Sequence, residues 1–211
     1  QDGLSLLFYE LGFDVLTRQD LTQEMMGEAV KKFAASEEHQ RSESAFVFFL
    51  CHGDSGLLQG IDGKFVNTSD IESLFDADRA SHLAGKPKVI VYQSCRGGSS
   101  DVGMFCDSSR AGKREKNPKK IPTSGDLIVA YSTADSHVSK RTMDGTHYIQ
   151  QLIQTTRECA HKLDLSGILN QTRQAVWKDC ANENKQHLQA PEFHSRHDKR
   201  FFFFPPDAFL P

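Results

Sequence analysis

Two short runs constrain the fold more than anything else in the chain: Ala45-Phe-Val-Phe-Phe-Leu-Cys51 and Lys88-Val-Ile-Val-Tyr-Gln93. Both are rich in β-branched and aromatic residues, and neither alternates with polar ones. That is the pattern of strands covered on both faces in a mostly parallel sheet. Parallel neighbours need a crossover, which helices usually supply. The spacing predicts them: an amphipathic helix carrying Leu4, Leu7 and Leu11, a second over residues 22–38, and two more over 147–161 and 165–179. Ser69 with Glu72 three positions on reads as a capping box for a short helix through Phe75. Asp62-Gly63 between Leu57–Gln59 and Phe65-Val66 predicts a hairpin. Further strands are expected at residues 14–16, 126–132 and 199–204, and a polar loop at 133–146. Strands alternating with helices give an α/β layer structure.

Both central runs stop at polar, glycine-containing loops, His52-Gly53-Asp54-Ser55-Gly56 and Ser94-Cys95-Arg96-Gly97-Gly98. In an open α/β sheet, ligands sit beyond the carboxyl ends of the strands, so His52 and Cys95 are candidate site residues. An imidazole beside a thiol suits thiolate attack on a carbonyl, with backbone N–H groups receiving the oxyanion. Gly53, lacking a Cβ, would let the main chain approach a substrate closely. Each residue also has an ordinary reading. A cysteine ending a buried strand is most often an inert small hydrophobe, and a histidine before glycine is most often a turn residue. The residues alone leave both readings open. Strand alternation turns Cys51 away from His52, which favours a packing role.

Charge excludes some partners. With 25 basic and 28 acidic side chains, a balance of −3, the chain lacks the attraction that nucleic acid or an anionic membrane demands. Its longest apolar runs are far short of the roughly 20 residues that span a bilayer, and no secretion signal is evident. Five scattered cysteines, an odd number, fit a reducing compartment. No CxxC, HxxxH or HExxH spacing brings ligands together, so no metal is expected, and no glycine-rich phosphate loop is present. Residues 97–125 lose all periodicity, and 110–120 hold six basic residues against one acidic. This stretch reads as a solvated linker.

Gln93-Ser-Cys-Arg-Gly97 resembles the caspase pentapeptide Gln-Ala-Cys-(Arg/Gln/Gly)-Gly, which has a histidine about 50 residues upstream; His52 lies 43 before Cys95. The likeness continues in Phe33-Ala-Ala-Ser-Glu-Glu-His39, Cys51-His-Gly53, Gly60-Ile-Asp-Gly-Lys64, Lys86-Pro-Lys88 and Val138-Ser-Lys-Arg141, covering nearly all of the chain. Gly112-Lys-Arg-Glu-Lys-Asn-Pro-Lys-Lys-Ile-Pro-Thr123 and Glu192-Phe-His194 most resemble the initiator-type, caspase-2-like branch of that family.

The resemblance implies a three-layer α/β/α sandwich and a cysteine endopeptidase that cuts after aspartate without a cofactor. Cys95 would be the nucleophile, His52 its acid/base partner and Gly53 an oxyanion donor. Gln93 and Arg141 would hold the substrate aspartate, with Val138, Ser139 and Lys140 lining neighbouring subsites. The family's other pocket arginine would precede residue 1. Lys140 replaces an aromatic or small apolar residue and His147 a tryptophan, which alters the expected preference upstream of the aspartate. Residues 1–107 would form an N-terminally incomplete large, p20-like subunit, 108–122 a linker and 123–211 a small, p10-like subunit, together one catalytic domain. Asp107 and Asp101 are the expected processing sites of a zymogen. The implied partners are protein substrates bearing aspartate, a second copy paired through residues 201–204, and an adaptor reached through a prodomain outside this chain. The setting would be cytoplasmic, or also nuclear, in apoptosis or related signalling. The alternative is a catalytically silent relative that binds an active caspase or an adaptor.

Overall fold

The computed structural model describes residues 2–94, 123–132, 141–142, 145–182 and 191–204. Its helices are α1 (Asp2–Glu10), α2 (Gln23–Ala34), α3 (Thr68–Ser73), α4 (His147–Cys159) and α5 (Leu165–Asn182). The strands are β1 (Ala45–Leu50), β2 (Gly53–Asp54), β3 (Leu57–Gln59), β4 (Phe65–Asn67), β5 (Lys88–Gln93), β6 (Leu127–Tyr131), β7 (Arg141–Thr142), β8 (Gly145–Thr146) and β9 (Glu192–Ser195). The central sheet runs β1-β5-β6-β9; the first three strands are parallel and β9 is antiparallel to β6.

Alternation along the central strands builds two cores. Val89, Val91, Ile128 and Ala130 face α1, α4 and α5, packing with Leu7, Tyr148, Leu152 and Ile168. Ile90, Tyr92, Leu127 and Val129 face the other way, onto Met26, Val30, Ile71 and Phe75 of the α2 and α3 layer. The sheet is therefore covered on both sides, which is why β1 and β5 show no polar alternation. β2, β3 and β4 form a small antiparallel sheet. Gly63 takes φ +74° at the predicted Asp-Gly turn.

Burial perturbs three groups. Lys88 is almost fully enclosed, its Nζ donating to Leu83 O at 3.3 Å and Lys86 O at 3.2 Å. Desolvation pushes its pKa down, with Asp126 and Asp76 opposing the shift. Burial holds the phenols of Tyr92 and Tyr148 far above their ordinary range, and Glu72 adds to the effect at Tyr92.

Several expectations fail. Residues 199–204 form no strand; the last strand among the described residues is β9. Phe201 and Phe203 instead pack, partly buried, against the core beside α1, touching each other with ring centroids 5.3 Å apart and both contacting Phe46. The segment is pinned to the start of α5 by Leu165 N–H donating to Phe201 O and by Arg200 Nε donating to Asp164 Oδ2 at 2.8 Å. Its main chain is thus held where no ladder forms. Residues 14–16 likewise belong to no strand. The helix expected over 22–38 stops at Ala34, because Ser36 caps a separate 3-10 turn by accepting the Glu38 N–H. Ser69 is not a cap: α3 starts one residue earlier, and the Glu72 carboxylate accepts from Tyr131 Oη at 3.3 Å rather than reaching back. Part of the expected loop at 133–146 is the β7–β8 hairpin.

Candidate active site

Six parallel pairs join β1 to β5, from Ala45↔Lys88 to Leu50↔Gln93. Cys51 N–H extends the ladder by donating to Gln93 O at 3.3 Å. The strands therefore end level, and the described residues that follow, His52-Gly53 and Ser94, leave the sheet side by side. Cys95 itself lies outside the described residues, as do Val138, Ser139, Lys140, Asp101 and Asp107.

The main chain beyond β1 is fixed from its other side. Gln59 N–H donates to His52 O at 2.8 Å, and Gly53 pairs with Leu58 in the small sheet. This leaves Gly53 between two walls. A Cβ there would fall 2.3 Å from Leu57 O and 3.0 Å from Ser94 Cβ. Gly53 thus touches the residue directly before Cys95, a contact that sequence spacing alone does not reveal. His52 is exposed, while Gln93 and Ser94 are buried. Cys51 packs partly buried on the α2 and α3 core, in keeping with its expected packing role.

Beneath the site, Tyr92 stacks between Phe49 and Tyr131, centroids 5.3 Å apart on each side, and its hydroxyl donates to Thr68 O at 3.4 Å. Such a row of rings across three strands makes a rigid floor. Arg141 opens the β7–β8 hairpin in the connection from β6 to α4, which leaves the sheet at the same end as Gln93. At the first turn of α4, His147 Nε2 stands 3.4 Å from Asp179 Oδ2 of α5, and Gln151 donates to that same oxygen at 2.8 Å. Among the described residues, the group with metal-ligand spacing is Asp126, His197 and Asp198, at the opposite end of the sheet.

The fold defines an α/β sandwich in which two adjoining parallel strands end level, at His52 and at Ser94. A family model described as the caspase domain matches residues 2–202. The chain belongs to the caspase family. It is 35% identical over 170 residues to caspase-3 of Mesocricetus auratus, covering 80% of this chain and 60% of that protein. Caspase-3 of Oryctolagus cuniculus is 32% identical over 195 residues, covering 92% and 68%. Caspase-7 of Gallus gallus is 35% identical over 178 residues, covering 82% and 57%. The chain therefore spans about 57 to 68% of the length of these curated relatives. They are caspases 3 and 7, and they lend no support to the initiator-type, caspase-2-like branch expected from residues 112–123 and 192–194. Among the described residues, no helix is long and apolar enough to cross a membrane.

Proposed function

We propose that the chain is a cysteine endopeptidase that cleaves peptide bonds after aspartate, acting inside the cell in apoptosis or related signalling. The observation that carries this reading is the level ending of β1 and β5, with Gly53 packed on Ser94. The Cys95 sulfur attacks the scissile carbonyl and forms a tetrahedral intermediate. The N–H groups of Gly53 and Cys95 receive its oxyanion. His52 delivers a proton to the leaving amine, and water then hydrolyses the thioester, returning the thiol. Gln93 and Arg141 hold the substrate carboxylate; a planar guanidinium suits it better than an ammonium. Val138, Ser139 and Lys140 line the subsites before the aspartate.

Residues 1–107 and 123–211 act as large and small parts of one catalytic domain, and residues 108–122 link them. The protein is a zymogen switched on by cutting after Asp107, with Asp101 as the second site. Two such units pair across the outer edge of the sheet. With Phe201 and Phe203 packed against the core, the pairing element is β9, outermost on that side among the described residues.

Fluorogenic tetrapeptides ending in aspartate, asparagine or arginine test the reading on the parent protein and on Cys95→Ala. Cleavage confined to the aspartyl peptide, with a loss of about 1,000-fold or more in the variant, is expected. Equal rates in both proteins would leave a silent regulator, and turnover of the arginyl peptide would reverse the pocket assignment.

A further inference from the structure

We infer that Asp126, His197 and Asp198 bind a divalent transition-metal ion of the zinc class, at the end of the sheet remote from His52. Asp126 directly precedes β6, and His197 and Asp198 follow the antiparallel β9, so the two strand ends that carry them meet. One ligand atom from each residue lies within 4.8 Å of the other two. His197 Nδ1 and Asp126 Oδ1 are 3.1 Å apart. Two donors held on one ion at about 2.0–2.2 Å, with angles between octahedral and tetrahedral, are separated by about 2.8–3.6 Å. This pair already stands at ligand spacing.

The two principal ligands are rigid. The His197 side chain is only 4% exposed and that of Asp126 only 13%. The main chain of each is tied down: Asp126 N–H donates to Arg196 O, Lys88 N–H to Asp126 O, and His197 N–H to Ser195 Oγ. The imidazole makes no other hydrogen bond among the described residues. Its Nε2 can therefore carry the ring proton while Nδ1 offers its lone pair. The ion then sits between Nδ1 and the Asp126 carboxylate, in place of the contact the two atoms otherwise make. Exposed Asp198 swings in as the third ligand, and water completes the shell. One imidazole with two carboxylates suits zinc; calcium and magnesium prefer all-oxygen sets. The Lys88 ammonium opposes the ion's charge, but it is directed to the carbonyls of Leu83 and Lys86.

The ligands lie far apart in the chain, so no local spacing motif announces them, and the expectation of no metal from such motifs does not reach this site. Its occupation would clip β9 to β6. The site is independent of the catalytic reading, and the test is run on the full chain carrying Cys95→Ala, which removes the thiol of the proposed active site. Zn2+ binding is measured by equilibrium dialysis and Co2+ binding by d–d absorption, with and without His197→Gln and Asp198→Asn. We expect one ion per chain, a cobalt spectrum lacking a thiolate charge-transfer band, and affinity reduced about tenfold or more by each substitution. Saturating Zn2+ should raise the unfolding midpoint by about 5 °C or more in the protein with all three ligands and not in the variants. Asp198 is exposed, so Asp198→Asn keeps the fold and decides the matter even if His197→Gln does not fold. Unchanged affinity in Asp198→Asn, or a thiolate band, would reduce Asp126 and His197 to an ordinary ion pair.

Discussion

At Gly53 the absence of a side chain is a steric requirement. The carbonyl of Leu57 is backbone and cannot rotate away, so a methyl group 2.3 Å from it forces the β2–β3 pair apart. Gly53→Ala is expected to cost about 2–3 kcal/mol in urea unfolding. It should also lower peptidase rate more than tenfold, because the same displacement moves the proposed oxyanion donor. Asp164 acts at a helix end. Its Oδ1 accepts the Gly167 N–H at 2.9 Å in the first turn of α5, and its Oδ2 accepts from Arg200. Burial alone would raise its pKa, but the Arg200 and Gly167 hydrogen bonds prevail and hold it below the ordinary value of 3.8. A depressed carboxylate stabilises the fold above its unfolded pKa, and that stability is lost as pH falls below 3.8. Asp164→Ala should therefore cost about 1–2 kcal/mol at neutral pH, and its thermal midpoint should decline less steeply than the parent's on acidification.

Among the elements, the aromatic segment after β9 shows where sequence patterning ends. Four consecutive phenylalanines satisfy any hydrophobic template, and nothing in the run distinguishes a paired strand from a tucked segment. The structure sorts them: Phe201 and Phe203 join the core with Phe8, Phe13 and Phe46, while Arg200 lies over the Phe202 ring at 4.9 Å and Phe204 is exposed. Phe203→Ala is expected to destabilise by about 3–5 kcal/mol, and Phe204→Ala by less than 1 kcal/mol. Thermal unfolding of the two variants would expose the assignment as wrong if their effects were alike. The central strands were legible for the opposite reason. Unalternated β-branched residues in β1 and β5 have only a doubly covered sheet to occupy, and both cores are present. The Ser69–Glu72 signature misled because the helix is capped two residues earlier, at Asn67, and Tyr131, remote in sequence, competes for the glutamate.

For the molecule as a whole, the two cores share a response to alkali. Tyr148 is sealed on one side of the sheet and Tyr92 on the other. Both phenols remain protonated in the fold above the unfolded value of 10.0. Once pH passes that value the unfolded chain binds fewer protons than the native one, so stability falls. Lys88 works the other way, recovering its desolvation cost as pH approaches 10.5. We expect the ultraviolet signal of these two phenolates to appear only together with loss of circular dichroism, and phenolate formation in a still-folded protein would contradict the packing. That His52 and Ser94 each follow a buried strand was legible in the two apolar runs, but the level ending of those strands was not, because it depends on β1–β5 register. That ladder works as a ruler. Adding or deleting one residue within β1 would shift the imidazole by about 3.3 Å against the end of β5 and turn every following side chain over. Mutation is thus free to repaint this strand but not to resize it.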